Sequence, residues 1–209
     1  MQIDLWTDIV CPWCYIGVTR FERALERFNG DVTIRLHPFQ LDPEAPIPGI
    51  PAIERYRRRF GDEADEIVPR VTAAAERDGL EFRLDRALSA NTFDAHRALM
   101  FAERHGKARE LEHALYRTYF TDGLDVSNRE VLADVAAGVG LDRGEVAAFL
   151  ASDEGVEELT REFADAFEKG ITAVPTFVFA DEFIVPGAVD SDTFLRILNQ
   201  MQALQAGRS

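Results

Sequence analysis

The sequence predicts an α/β fold in which a small sheet is interrupted by a large all-helical insertion. Three observations carry this expectation. Segments with β character lie toward the two ends of the 209-residue chain, and almost everything between them is patterned as helix. The only two cysteines, Cys11 and Cys14, fall where the first strand gives way to the first helix.

Gln2 to Val10 alternates and is β-prone, as a strand should be. Val18, Phe21, Leu25 and Phe28 then recur at helical spacing, and Asn29–Gly30 is a stop signal. In DVTIRLHPFQL, Val32, Ile34 and Leu36 share one face of a second strand. DPEAPIPGIP holds four of the nine prolines and marks a loop or hinge. From about Ala52 to Lys169 helical patterning dominates. AIERYRRRF and EIVPRVTAAAERDG come first, the second with the helix-disfavouring Pro69 near its start. NTFDAHRALMFAERHG and KARELEHALYRTYF follow. Ser127 and Glu130 form a capping-box pattern ahead of Leu132, Val135 and Val139. Val156, Leu159, Phe163 and Phe167 make one stripe of the next helix, which closes at Lys169–Gly170.

After Gly170, VPTFVFA and FIVPG read as two short strands joined by a polar turn at Asp181–Glu182. DSDTFLRILNQM is a terminal helix with Phe194, Leu198 and Met201 inward. The expected division is 1–50 for the first part of the α/β domain, 51–152 for the helical insertion, and 153–209 for the second part. With the insertion set aside, the order is β-α-β then helix, β-β-α, and the final hairpin can join the first two strands in one sheet.

Composition narrows the function. Hydrophobic residues make up 46% of the chain, near the globular average. The net charge of −14 argues against nucleic acid or an anionic membrane surface as partner, because either would repel the chain. The start, MQIDLWTD, has no basic n-region and no apolar h-region. The longest apolar stretch, AVPTFVFA, is too short to span a bilayer. A cytoplasmic protein is expected, and two cysteines in such a chain favour catalysis or metal binding over a structural staple.

A lone C-x-x-C has three readings. Structural zinc needs four ligands, yet there is no further cysteine, and His37, His96, His105 and His113 show no H-x3–5-H pairing. No metal is expected. Two buried structural thiols are the second reading, weakened because a strand-to-helix junction presents a side chain rather than burying it. The redox reading is favoured. A cysteine at a helix start faces unpaired N–H groups and the positive end of the dipole, and both stabilise a thiolate. Cys11 takes that position, and Pro12 suits the first helical residue. Cys14, one turn on, can resolve a mixed disulfide at Cys11, and Trp13 shields one side. In AVPTF, Pro175 is expected in the cis form beside the pair, with Val174 offering a main-chain edge to an extended peptide or glutathione.

The chain resembles the DsbA-like thioredoxin-fold proteins, in particular the cytosolic FrnE-type dithiol–disulfide oxidoreductases. The residues that carry the resemblance are DIVCPWCYIG (Asp8–Gly17), HPFQLDP (His37–Pro43), NTFDAHR (Asn91–Arg97), YFTDGLDVS (Tyr119–Ser127) and GITAVPTFVF with VPGA (Gly170–Ala188). It implies a thioredoxin-like fold with an inserted helical domain, a site between the two parts, Cys11 and Cys14 as redox pair, and Pro175 as cis proline. Thr176 departs from many relatives and is expected to alter the pocket's surface more than its chemistry. The implied substrate is a disulfide-containing peptide or protein, or glutathione. No cofactor is expected, with glutathione as an alternative co-substrate. Two rival functions stay open: a glutathione-dependent isomerase or transferase of the 2-hydroxychromene-2-carboxylate isomerase or kappa-class type, and a non-enzymatic, redox-switched peptide-binding chaperone. Oligomeric state is not legible.

Among other residues, Asn91 and His96 are candidates for the insert's wall of a substrate cleft. Against this, Asn91 or Thr92 caps a helix and His96 is a satisfied interior histidine. His37 packs or faces solvent at a strand end. The basic run Arg55 to Arg59 reads as a solvated helix face, with an anion-binding rim as its alternative.

Overall fold

The computed structural model describes residues 1–207, apart from the side chains of Tyr56, Arg58, Arg59, Phe60, Asp62 and Ala64. A four-stranded sheet has the order β2 (Thr33–Pro38), β1 (Gln2–Thr7), β5 (Thr176–Phe179), β6 (Phe183–Pro186). β1 runs parallel to β2 and antiparallel to β5, and β6 returns antiparallel on β5. This is the thioredoxin-like arrangement that the sequence predicts. β1 lies inside the sheet, so Ile3, Leu5 and Trp6 are all buried although they point to opposite faces.

One face of the sheet is covered by α1 (Pro12–Leu25) and α9 (Ser191–Ala206). Phe21 of α1 and Phe194 of α9 meet Phe177, with ring centroids 5.1 and 4.7 Å away. On the other face α8 (Val156–Glu168) runs against β2, and its Ala166 is buried with Trp6 and Ile171. Phe167 is 78% exposed, so the predicted stripe of α8 is corrected at its last position: the small Ala166, not the ring, faces the sheet.

Between β2 and α8 lie six helices: α2 (Ala52–Phe60), α3 (Ala64–Arg77), α4 (Phe93–Arg104), α5 (Ala108–Arg117), α6 (Arg129–Gly138) and α7 (Arg143–Ala151). A two-residue ladder of β3 (Ile50–Pro51) with β4 (Leu88–Ser89) ties the chain entering α2 to the segment before α4. Buried apolar residues of this segment and of the sheet form one continuous cluster. The join is aromatic: Tyr15 of α1 stacks on Tyr116 of α5 at 4.8 Å, and Phe82 stacks on Phe120 at 4.4 Å.

Several local expectations shift by a few residues. Helix α1 stops at Leu25, because the next amides turn tightly: Arg27 N–H donates to Ala24 and Phe28 N–H to Leu25. The cap of α6 is Asn128, whose side chain accepts from Glu130 N–H, while the Ser127 hydroxyl donates to Asp125 at 2.6 Å. The β5–β6 turn is centred on Ala180 and Asp181, both at positive φ, which matches the twist of a tight hairpin. In the basic run, Arg55 pairs with Asp42 and Arg57 with Asp65; Arg58 and Arg59 lie outside the described side chains.

Arg97 shows what holds the helical segment in register. Its guanidinium is buried and donates to the carbonyls of Phe149, Leu150, Ser152 and Glu154, and to Asp94. Phe149 and Leu150 belong to the last turn of α7, Ser152 is its cap, and Glu154 lies in the loop beyond, so one side chain gathers the carbonyls of the helix end and the loop that follows. Arg97→Met removes every one of those donors, so the free energy of unfolding in urea falls by about 3–5 kcal/mol.

Helix α1 is bound to the helical segment by charge as well. Arg20 and Arg23 reach Asp78 at 2.8 and 3.2 Å, and Glu22 takes Arg109 and His113. The hydrogen bond to Glu22 holds His113 above its ordinary 6.5, against the pull of burial. Burial alone would raise Glu22, but His113 and Arg109 overcome it and hold the carboxyl below its ordinary 4.5. The His113 contribution is complete below 6.5 and fades as pH rises through its raised folded value. The Glu22 contribution is complete above 4.5 and fades as pH falls through its lowered folded value. Between those limits the pair is at full strength. His113→Gln therefore flattens the loss of unfolding free energy as pH rises above 6.5, measured by denaturant titration at each pH.

Candidate active site

The strand-to-helix junction after β1 builds the site. Cys11 is the N-cap of α1, with extended backbone at φ −86° and ψ 111°, and Pro12 opens the helix. Cys11 N–H donates to the Asp8 carbonyl at 3.0 Å, and Cys14 N–H donates back to the Cys11 carbonyl at 3.0 Å. The turn places Cys14 at the third helical position, in the first turn and within hydrogen-bond reach of Cys11. Both cysteines are free.

Neither sulfur is presented to solvent. Cys11 is 3% exposed and Cys14 0%. This corrects the expectation that the junction presents its side chain. The cover comes from the loop before β5, where the Val174–Pro175 peptide is cis and the Cys11 thiol donates to the Val174 carbonyl at 3.6 Å. Val174 is half-buried and Pro175 buried, while Pro12 and Trp13 stay partly open. Burial pushes the Cys14 thiol well above its ordinary 9.0, and its hydrogen bond to Cys11 and the charge there add to the effect. The arrangement therefore holds Cys14 as a thiol beside Cys11. One sulfur can act as nucleophile and the other can wait as its resolving partner.

Two features of the loop are set by residues that carry no chemistry. The Pro175 carbonyl accepts from Gly187 N–H at 2.7 Å, which ties the loop to the end of β6. Thr176 is buried, and its hydroxyl closes the turn onto Ala173 at 2.7 Å. It shapes the loop from within, rather than the pocket's surface as expected. Gly17 of α1 lies beneath: a Cβ there would stand 2.9 Å from Pro175 Cγ and 3.3 Å from Ala188 Cβ.

Asn91 does not reach the sulfurs, while His96 approaches them only through Asp8. Asn91 Oδ1 accepts from Phe93 N–H at 2.9 Å and from Gln40, and its amide donates to the Pro43 carbonyl. It fastens the loop after β2 to the start of α4. His96 is buried, with Nε2 3.0 Å from the Phe39 carbonyl and 3.4 Å from Asp8 Oδ1. Neither lines the cavity beside Trp13; His96 lines a separate cavity with Thr7 and His37, and Asn91 one with Gln40 and Pro43. His37 bonds Asp4 at 2.7 Å and stacks on Trp6.

Sequence reasoning missed two acids close to the pair. Asp8 is fully buried; Oδ2 accepts from Leu41 N–H at 2.8 Å and Oδ1 has no hydrogen bond. Its charge acts on Cys14. Glu112, on α5, is equally buried, with Oε1 taking the Thr7 and Tyr116 hydroxyls and Oε2 bare. Burial raises the Glu112 carboxyl above its ordinary 4.5. The signal for Asp8 was its place between the first strand and the cysteine turn; Glu112 is hidden in a helix rich in charged residues.

Beside the pair is a cavity of about 280 Å³, reached by Val10, Pro12 and Trp13 from one side and by α2 and α3 from the other. Among the described residues, no group of three or more His, Cys, Asp or Glu could hold a metal ion. No described helix is long and apolar enough to cross a membrane.

Gly17→Ala tests the contact that seats the loop. The added methyl group forces Pro175 away from α1, which destabilises the fold by about 1–3 kcal/mol. Because the Val174 carbonyl moves off the sulfur, Cys11 should react faster with iodoacetamide than in the parent protein, as read by mass spectrometry of the alkylated chain.

Comparison with known proteins bears on the whole chain. Residues 2–199 match the family profile described as DSBA-like thioredoxin domain. A probable DsbA oxidoreductase from Streptomyces coelicolor is 33% identical, with a TM-score of 0.91 over 97% of this chain and 90% of that one. The 2-hydroxychromene-2-carboxylate isomerase of Sphingobium xenophagum is 25% identical over 190 residues, which are 88% of this chain and 91% of the isomerase. The fold is shared with the cytosolic disulfide reductase DsbM from Pseudomonas aeruginosa, at 21% identity and a TM-score of 0.66 over 100% of this chain and 98% of that one. DsbM is also solved with GSH. A profile match from end to end, joined to the Streptomyces likeness, makes this chain a member of the DSBA-like thioredoxin domain family.

Proposed function

We propose that this chain is a thiol–disulfide oxidoreductase of the FrnE type that works through Cys11 and Cys14. The observation that supports it best is the cap itself. Cys11 occupies the N-cap of a 14-residue helix, with Pro12 at N1 and the Cys14 thiol hydrogen-bonded beside it. A helix N-terminus favours a thiolate at that position.

The steps follow from the geometry. Cys11 sulfur, as thiolate, attacks one sulfur of a substrate disulfide. The substrate's sulfur–sulfur bond breaks, one half leaves as thiolate and takes up a proton, and the other half is held as a mixed disulfide. Cys14 then gives up its proton and attacks Cys11 Sγ. The mixed disulfide breaks, the second substrate thiol leaves, and Cys11 and Cys14 are joined. The substrate gains two electrons and two protons, and the protein loses them; the reverse sequence oxidises a dithiol. In this reading the Val174 main chain is the edge that an extended substrate pairs with, displacing the Cys11 thiol from its carbonyl.

Glutathione is a candidate co-substrate, in keeping with the DsbM structure that holds GSH. A chain whose only two cysteines form the C-x-x-C pair suits a reducing, cytoplasmic setting. The relationship to the Sphingobium isomerase supports a second reading, glutathione-dependent isomerisation of a small aromatic compound.

One experiment separates them. Reduction of insulin and of glutathione disulfide should fall by on the order of a thousandfold or more in Cys11→Ser. Cys14→Ala should accumulate a one-to-one mixed disulfide, seen as added mass that dithiothreitol removes. Equal rates for the parent protein and Cys11→Ser would sink the oxidoreductase reading. Isomerase activity that needs glutathione and survives Cys14→Ala, without disulfide exchange, would establish the second.

A further inference from the structure

Asp8 is fully buried, and its charge acts on Cys14. Its Oδ2 is taken by the Leu41 N–H, while Oδ1 lies 3.4 Å from His96 Nε2. His96 belongs to α4, in the inserted helices, and is itself buried. Nε2 is also 3.0 Å from the Phe39 carbonyl. A carbonyl only accepts, so Nε2 carries a hydrogen and the second ring nitrogen is the one that can take up a proton. His96 lines a cavity of about 30 Å³ with Thr7, His37, Glu103 and Glu162, enough for a water molecule. His37, Glu103 and Glu162 continue from there into a wider groove of about 270 Å³. This cavity shares no lining residue with the one beside Trp13, so a proton can reach the ring by a way that substrate does not use.

The charged and titratable groups that face His96 are Asp8 from the cysteine turn, His37 from β2, Glu103 from its own helix and Glu162 from α8. Arg97, its chain neighbour, is turned instead to the carbonyls at the end of α7. Three of the four groups are acids, and a charged ring is felt among them: burial raises the Glu162 carboxyl above its ordinary 4.5, against the pull of His37 and His96. A histidine gains its charge between about pH 5 and about pH 8. With a neutral ring, the Asp8 carboxylate opposes the negative charge that has to develop on Cys14 as it attacks Cys11 Sγ. A charged ring beside Asp8 offsets that carboxylate. We propose that His96 is a positioning residue for the resolving step: a proton taken up from the cavity between α4 and α8 masks the Asp8 charge at Cys14, so the inserted helices set the pH range in which a mixed disulfide is released. The proposal rests on the oxidoreductase reading and adds to it a residue that touches neither sulfur. In that step Cys14 loses its proton to solvent, its sulfur bonds to Cys11 Sγ, and the substrate half leaves as thiolate. His96 changes only how easily charge forms on Cys14.

Dithiobis(nitrobenzoate) reads the two thiols in turn, because the reduced chain releases one coloured thiolate when Cys11 attacks and a second when Cys14 resolves the mixed disulfide. The second phase is followed from about pH 5 to about pH 8 in the parent protein and His96→Gln, each with and without Asp8→Asn. Easing ionisation of a thiol by about one pKa unit raises its thiolate about tenfold and lowers its nucleophilicity about threefold, a net gain of roughly threefold. The parent should therefore outrun His96→Gln by roughly threefold at the acid end, with the ratio falling toward one at the alkaline end. With Asp8→Asn the ratio should not vary with pH. A merely structural role would shift the rate equally at every pH. Parallel profiles for the parent and His96→Gln, or the same pH-dependent ratio without the Asp8 charge, overturn the proposal and leave the oxidoreductase reading standing. Ring-proton NMR of the parent protein needs no variant: the His96 signals should shift across this range, and a ring that takes up no proton overturns the proposal. No second release at any pH overturns both readings.

Discussion

Gly17 lets Pro175 come against helix α1, and the positions of both cysteines depend on that approach. Helix α1 carries Cys11 at its cap and Cys14 in its first turn, while the loop carrying Val174 and Pro175 belongs to the far end of the chain. With any larger residue at 17, the loop would ride over the helix instead of closing on it. The same helix then turns Phe21 toward the sheet and Tyr15 toward the helical segment. One missing side chain therefore joins three things: the sheet, the inserted helices and the sulfur pair. Arg20 reinforces the arrangement by donating both to Asp78 beyond α3 and to the Ala188 carbonyl at the end of the hairpin.

Charge inside this junction is unevenly paired, and the imbalance falls beside the sulfurs. Arg97 and Asp78 are satisfied many times over. Among the described residues, the buried side-chain atoms without a hydrogen bond are one oxygen of Asp8, which lies 3.4 Å from His96 Nε2, and one of Glu112. Buried polar groups elsewhere in proteins are almost always paired, because an unpaired one costs about 1–3 kcal/mol. Both oxygens lie where the end of β1 meets α5 and the cysteine turn: Thr7 holds Glu112, and Asp8 caps the turn through its carbonyl. Burial raises both Cys14 and Tyr116; the Asp8 charge adds to it at Cys14 and the Glu112 charge at Tyr116. The proton on Cys14 is thus held by burial first and by the Cys11 sulfur second, with the Asp8 charge adding least.

How much of this could be read in the amino-acid order depends on the range of the interaction. The helix cap is local: a β-prone run, Cys, then Pro at the first helical position, and that was legible from three adjacent residues. The sheet was legible too, since Val32, Ile34 and Leu36 and the later hairpin have a clean period. Errors arose where two neighbouring residues competed for one role. Asn128 takes the cap that Ser127 also suits, because Ser127 is already held by Asp125. Ala166 takes the buried position next to Phe167, because it is the one of the two that faces Trp6 and Ile171. His96 and Asn91 could not be placed from sequence, since their partners Phe39 and Pro43 lie about fifty residues away. The cavity is the extreme case: its lining comes from several segments that only the folded chain assembles.

Burial of the sulfurs also constrains how the redox state can be set. A thiolate stabilised in the reduced form makes a dithiol pair more oxidising. Cys14 cannot supply that stabilisation, because burial pushes its thiol up rather than down. Any such effect has to come through Cys11 and the start of α1. The Val174 carbonyl accepts a hydrogen bond from the Cys11 thiol, so anything that reaches this sulfur has to displace that contact first. In the oxidoreductase reading, the loop that covers Cys11 is therefore the element that an entering disulfide must meet before exchange can begin.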